Sequence, residues 1–400
     1  ASNGRDGDLA RRQARHVIES LRQFQSACAL TELYASGAEG SQNGLLDFCD
    51  SLLRSVSGET SSELRDATLD VMSGVVAQLD AIPDGLVELL LVSLLPSGRK
   101  AAPTTHWLAQ AVVRRGADAL TRPVAAWLNG CLSLSPTEGI VTPDNEKKKK
   151  RRRRSDDSSS SSEEEEETPL KRIGQDTLAK SDASGANAYA LVFEVHLAEP
   201  RMLLYTLPKV SERLLAEDDR TREATLTLLG RLFASPKEDY ASSYPGIYQE
   251  WLRRFHDKCS EVRCAMVRVS LRVASAKPQL RAALIEQCAE RTQDKDWEVR
   301  RASCRSLADA MLDTAPSGLK DASGGKDWDI ACESLRRVAK DKRPEIRKEC
   351  LTGLATLFRA HVSDNFEDSD EALNATCSNG LKRLGFVPSL LVQSYASSVN

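Results

Sequence analysis

Along most of this chain apolar residues recur at three- and four-residue intervals, the period of an amphipathic helix, and nowhere does the strict alternation of a half-buried strand appear. The spacing predicts a helix over Leu9–Leu30, with Val17, Ile18, Leu21 and Phe24 on one face, then a loop over Gly37–Gly44 and a helix over Leu45–Val56. Glu63–Leu79 follows, capped by Ser61 or Ser62, with a broad apolar face that includes Leu64, Val71, Met72, Val75 and Val76. Pro83 opens a short helix, Asp84–Leu95, which Pro96 closes, and two more are expected over Thr105–Arg115 and Ala117–Leu132. After a polar interval, helices resume over Tyr189–Leu197 and from Pro200, where Pro208 is expected to divide the run. Asp219–Phe233 and Tyr248–His256 complete this set.

Beyond them the chain repeats a phrase. DKCSEVRCAMVRVS begins at Asp257, DKDWEVRRASCRSL at Asp294 and DKRPEIRKECLTGL at Asp341. Asp, Lys, Glu, a β-branched residue and Arg recur at identical offsets. Self-similarity at about forty residues is the signature of stacked helix pairs of the HEAT or armadillo kind. In each copy the Asp belongs to a turn, and the Glu faces the positive end of the helix dipole. Pro344 suits a first-turn site. Val262, Ala265, Met266 and Val269 are expected in the core, as are Val299, Ala302 and Leu307. The Arg after the β-branched residue is expected to reach a neighbouring repeat's turn acid. The longer second interval is assigned to an inserted loop, Ala315–Lys326. The expected fold class is therefore all-α, a solenoid of stacked antiparallel helix pairs.

Composition changes this picture in one place. Ser133–Ala186 contains KKKKRRRR (Lys147–Arg154), SDDSSSSSEEEEE and TPLKR, with too little apolar content to form a core. The expected organisation is a first part of the array over 1–132, a disordered charged linker over 133–186 and a second part over 187–400. Net charge is −3, and Asp144–Gln175 contributes +1 of it, so the rest is mildly acidic and poorly suited to general nucleic-acid binding. Ten cysteines stand singly in helical patterns, which argues for reduced thiols in a nuclear or cytosolic protein. No apolar run reaches the roughly 20 residues that span a bilayer. The absent initiator Met and the abrupt end at Asn400 suggest a piece of a longer protein.

Catalytic and cofactor chemistry is not legible. SGGK (Ser323–Lys326) lacks the first glycine of a P-loop, and there is no G-x-S-x-G elbow. His256, Cys259 and Cys264 lack a fourth metal ligand, and Cys264 lies on a core pattern. No catalytic residue, metal or cofactor is expected. Three other signals stand out. Lys147, Lys148, Lys149, Lys150, Arg151, Arg152, Arg153 and Arg154 read as a nuclear-import signal for an import adaptor. Ser160, Ser161 and Ser162, each with Glu three residues later, and Thr168 in Thr-Pro-Leu-Lys read as phosphorylation sites. Arg336, Arg337, Lys340, Lys342, Arg343, Arg347 and Lys348 crowd one helix–turn–helix corner, fitting a groove for an acidic peptide. Arg347 has a competing structural role, because Arg263 and Arg300 recur at its offset; Arg343 and Lys348 do not share it.

At this corner the chain resembles the "precocious dissociation of sisters" family of cohesin-associated proteins. The family pattern D-K-R-x-x-[VI]-R-K-E-x-x-x-G-L matches Asp341, Lys342, Arg343, Ile346, Arg347, Lys348, Glu349, Gly353 and Leu354; its F/W-[IV]-P-x-x-[LI]-L element matches Phe386, Val387, Pro388 and Leu391. Leu64–Pro96, Leu191–Pro208 and Leu228–Phe233 are similar as well. His106-Trp107 and Trp127-Leu128 depart from the family, and the linker is longer and more charged than usual. The resemblance implies a non-enzymatic, monomeric, chromatin-associated nuclear regulator of sister-chromatid cohesion. It would bind the kleisin subunit of cohesin, with the release factor Wapl engaged mainly outside this chain. Rival readings are another nuclear HEAT scaffold, such as a condensin-type subunit or transport receptor, or a direct DNA-binding array.

Overall fold

The computed structural model describes residues 39–55, 62–133, 184–312, 324–367 and 384–399. The helix expected over Leu9–Leu30 lies outside them, as does nearly all of the charged linker. The described residues are helices and their connections, in two compact units, Ala1–Val210 and Ser211–Asn400.

The first unit contains α1 (Glu39–Ser55), α2 (Ser62–Gln78), α3 (Asp84–Ser93), α4 (Pro96–Ala101), α5 (Pro103–Arg115), α6 (Ala117–Ser133) and α7 (Ser184–Ala198), then a 3₁₀ segment, Pro200–Tyr205. Helix α8 (Leu207–Arg213) begins after it, so the run from Pro200 is divided just ahead of Pro208. Helix α1 starts inside the expected Gly37–Gly44 loop. A helical glycine costs only about 1 kcal/mol, and burial of Leu45, Cys49, Leu52 and Leu53 further along α1 outweighs it. Helix α7 likewise begins at Ser184, three residues inside the expected linker, and its buried Tyr189, Leu191, Val192 and Val195 pack on α5 and α6. The helices on either side of 134–183 thus belong to one core.

That core holds an ionic cluster that joins the two sides. Glu194 of α7 is buried, and its Oε2 lies 3.3 Å from Arg99 Nη2 and 3.5 Å from His106 Nε2. Burial lowers the His106 pKa, and the Glu194 carboxylate opposes that shift only in part.

The second unit is built from α9 (Asp219–Phe233), α10 (Tyr240–Ser243), α11 (Pro245–Leu252) with a 3₁₀ turn at Arg253–His256, α12 (Ser260–Ala276), α13 (Pro278–Arg291), α14 (Trp297–Leu312), α15 (Gly324–Val338), α16 (Pro344–Glu367) and α17 (Val387–Val399). Helices α9, α12, α14 and α16 stack side by side as one layer; α13 and α15 pack on each other and against it as a second. Pro245 and Pro278 start helices at the position where a missing N–H is harmless. The Tyr248–His256 helix therefore begins three residues early and ends as a 3₁₀ turn, and α15 starts inside the loop expected over Ala315–Lys326.

Val262, Ala265, Met266, Val269, Val299 and Leu307 are buried as the pattern predicts. Ala302 is only half-buried; the adjacent Ser303 takes the interior position instead, its hydroxyl donating to the Val299 carbonyl at 2.8 Å. Two glycines set the layer spacing. A Cβ at Gly230 would lie 1.9 Å from Val269 Cγ1, and one at Gly353 2.8 Å from Ala308 Cβ.

Candidate partner-binding edge

The phrased turns of the second unit lie along one edge, tied by an arginine–aspartate ladder. Arg263 donates from Nε and Nη2 to Asp294 at 2.9 and 2.8 Å, and from Nη1 to the Asp257 carbonyl at 2.8 Å. Arg300 repeats this with Asp341, at 2.7 and 3.2 Å, and with the Asp294 carbonyl at 2.9 Å. Each guanidinium thus closes its own turn with one nitrogen and grips the next turn's carboxylate with two, the geometry its planar fork suits. Each aspartate also accepts a backbone N–H two residues on, from Cys259, Asp296 and Arg343.

The carboxylates stay ionised despite burial. For Asp257 and Asp294 burial pushes the pKa up, but the arginine and backbone donors outweigh it and the net shift is down. For Asp341 the Arg300 hydrogen bond is itself the largest influence, again downward.

One rung is not evident from the repeated phrase. Arg222 holds Asp257 at 2.9 and 2.8 Å and closes its turn on the Ala216 and Glu217 carbonyls. Ala216 stands where the other copies have Asp, which breaks the phrase. The β-branched Thr221 followed by Arg222 is the surviving signal.

The structure divides the seven-residue basic corner. Arg336 lies over the Phe386 ring at 5.5 Å, and Arg343 over Trp297 at 4.6 Å. Arg337 pairs with Glu333 one turn away, Nε to Oε1 3.3 Å. Arg347 takes the structural role that its offset implies, donating to the Asp341 carbonyl at 2.8 Å and to that of Lys342 at 3.1 Å. Lys340, Lys342 and Lys348 are exposed, with no side-chain partner among the described residues. Lys348 lines a groove of about 780 Å³ together with Arg347, Arg359, Leu351, Ala355 and Leu391 among others. Lys147–Arg154, Ser160, Ser161, Ser162 and Thr168 lie outside the described residues.

The thiol reading of Cys264 agrees with its position: it is buried in α12, and burial pushes its pKa up to about 12. Among the described residues no group of His, Cys, Asp and Glu is arranged to hold a metal ion, and no helix is long and apolar enough to cross a membrane.

Layered helix pairs joined turn to turn by this ladder define a HEAT-repeat scaffold. A solved structure of a Pds5–Scc1 complex has the same fold, with a TM-score of 0.62 at 12% identity over 96% of this chain and 53% of that one. The family model described as "Sister chromatid cohesion protein PDS5 protein" matches residues 6–383, and the chain belongs to that family. Sister chromatid cohesion protein PDS5 homolog A of Gallus gallus is 23% identical over 293 residues, 73% of this chain. Homolog B of Homo sapiens is 22% identical over 304 residues, 76% of this chain. The chain spans 18% of the length of each of these two relatives.

Proposed function

We propose that this chain is a non-enzymatic regulator of sister chromatid cohesion that binds the kleisin subunit of cohesin and modulates cohesin's maintenance and release on chromatin. The observation that carries this reading is the family match over residues 6–383. The Pds5 of the related solved structure is in complex with Scc1, which gives the partner class. On this chain the kleisin segment lies along the basic corner of α15 and α16. Lys340, Lys342 and Lys348 offer free ammonium groups there, Arg336 and Arg343 add charge above aromatic rings, and Arg337 and Arg347 complete the field. Wapl engages the parent protein mainly outside this chain.

The linker supplies address and control in this reading. Lys147–Arg154 binds an import adaptor and brings the protein, as a monomer, to nuclear chromatin. Phosphates on Ser160, Ser161, Ser162 and Thr168 each add about −1.5 to −2 charges and turn a near-neutral linker strongly acidic in mitosis.

Affinity purification of the tagged chain from nuclear extract, with mass spectrometry, tests the reading. Cohesin's kleisin is the expected companion. Recovery of condensin subunits or transport cargo without cohesin would overturn it, as would retention on duplex DNA alone.

A further inference from the structure

The turns joined by the ladder carry a second periodic feature. Lys258, Lys295 and Lys342 each stand one residue after a ladder aspartate, one lysine per repeat. All three are exposed, and none has a side-chain partner among the described residues. The ladder acids beside them, Asp257, Asp294 and Asp341, are already gripped by Arg222, Arg263 and Arg300, and Glu290 lies 3.9 Å from Arg291. The edge therefore presents exposed ammonium groups outside the ladder, one per repeat. Between its first two turns is a depression of about 400 Å³, where Lys258, Lys295 and Arg291 stand with Glu290 and the ladder residues Asp257, Arg263 and Asp294. The row stops at the preceding rung, where Glu217 occupies the lysine offset.

We infer that this row is a docking rail for an extended acidic segment of polyproline-II form, with a carboxylate at every third residue. Packed helices lie about 8–10 Å apart, which sets the spacing of successive turns. A polyproline-II chain advances about 3.1 Å per residue with three residues per turn, so every third side chain returns to one face after about 9 Å. Carboxylates at positions i, i+3 and i+6 then meet Lys258, Lys295 and Lys342 in register. Lysine suits this role because a flexible point charge needs no fixed fork geometry. Duplex DNA fits less well, since its affinity comes from neutralising many phosphates at once and a row of three lysines neutralises about three. The inference rests on the kleisin reading and deepens it, extending the contact from the α15–α16 corner across two earlier turns.

The test uses the full chain and fluorescence anisotropy with a nine-residue peptide of three Pro-Pro-Glu units. The control is a peptide of the same composition with its glutamates adjacent. The periodic peptide is expected to bind about tenfold tighter than the blocked one, and the Lys258→Glu/Lys295→Glu variant to lose about tenfold or more of that binding with its thermal melt unchanged. Equal binding of the two peptides overturns the inference, as does an unaffected variant. Stronger lysine-dependent binding of duplex DNA than of the periodic peptide also overturns it. A kleisin segment separates this from the parent reading. If Arg343→Glu/Lys348→Glu weakens it while Lys258→Glu/Lys295→Glu does not, the rail fails and the corner stands. If neither variant changes kleisin binding, both fail.

Discussion

Asp294→Ala removes the middle rung of the ladder. The Asp294 and Arg263 side chains are only 3% and 5% exposed, and two bonds of 2.8 and 2.9 Å join them. Without the carboxylate, Arg263 keeps its bond to the Asp257 carbonyl but leaves Nε and Nη2 unpaired in a buried site. The Asp296 N–H also loses its acceptor. Breaking a buried pair by deleting one partner costs about 3–5 kcal/mol, a large part of a typical stability of about 5–15 kcal/mol. The internal control is Asp50→Ala, which breaks a bridge to Arg54 whose side chains are 29% and 44% exposed and which contributes about 1 kcal/mol or less. Urea unfolding gives the energies, and hydrogen exchange of peptides from α12 and α14 locates the loss. Arg263→Met/Asp294→Leu is expected to recover most of the stability, because an apolar pair leaves no orphaned charge. A loss from Asp294→Ala no larger than that from Asp50→Ala would refute the view that the ladder holds the repeats together.

Gly230→Ala is expected to cost about 1–3 kcal/mol through overpacking against Val269, and Val269→Ala in the same chain to restore part of it in thermal melts. The ladder aspartates have folded pKa values below the usual carboxylate range, so their contribution is complete above about pH 3.9 and is lost as pH falls through the folded values. Acid titration followed by circular dichroism should show unfolding that begins near pH 4 and moves to higher pH in Arg263→Ala. Cys288 is fully buried with its thiol pushed up to about 12, so iodoacetamide at pH 7.5 should leave it unlabelled in the native chain and label it in urea. Replacing Lys147–Arg154 with alanine should move a tagged chain out of the nucleus in fluorescence imaging.

The repeats are legible in the sequence because the ladder demands two chemical types at a fixed distance. A turn gripped by the preceding repeat needs an aspartate, and six residues later an arginine follows a buried β-branched residue; the phrases at Asp257, Asp294 and Asp341 have both. The rung at Arg222 escapes because it needs only the next turn's aspartate, and its own Ala216 costs it nothing. The Glu194, His106 and Arg99 cluster is hidden for a different reason: its members lie on opposite sides of the charged linker and meet only when α7 packs on α5. At the basic corner the sequence reports charge density but not its disposition. Stacking of Arg343 on Trp297 and of Arg336 on Phe386 depends on neighbouring helices, so charge counting alone cannot separate held guanidinium groups from the free lysines beside them.

Calorimetric titration with a purified kleisin fragment decides whether the proposed basic corner holds a kleisin segment. The wild-type chain should bind with an affinity that falls as salt rises. Reversing the exposed Arg343 and Lys348 to glutamate should weaken binding by about 2 kcal/mol, roughly thirtyfold, with helicity and melting preserved. Unaltered binding after the double reversal, or no binding by the wild-type chain at low salt, would rule out the corner as the kleisin site.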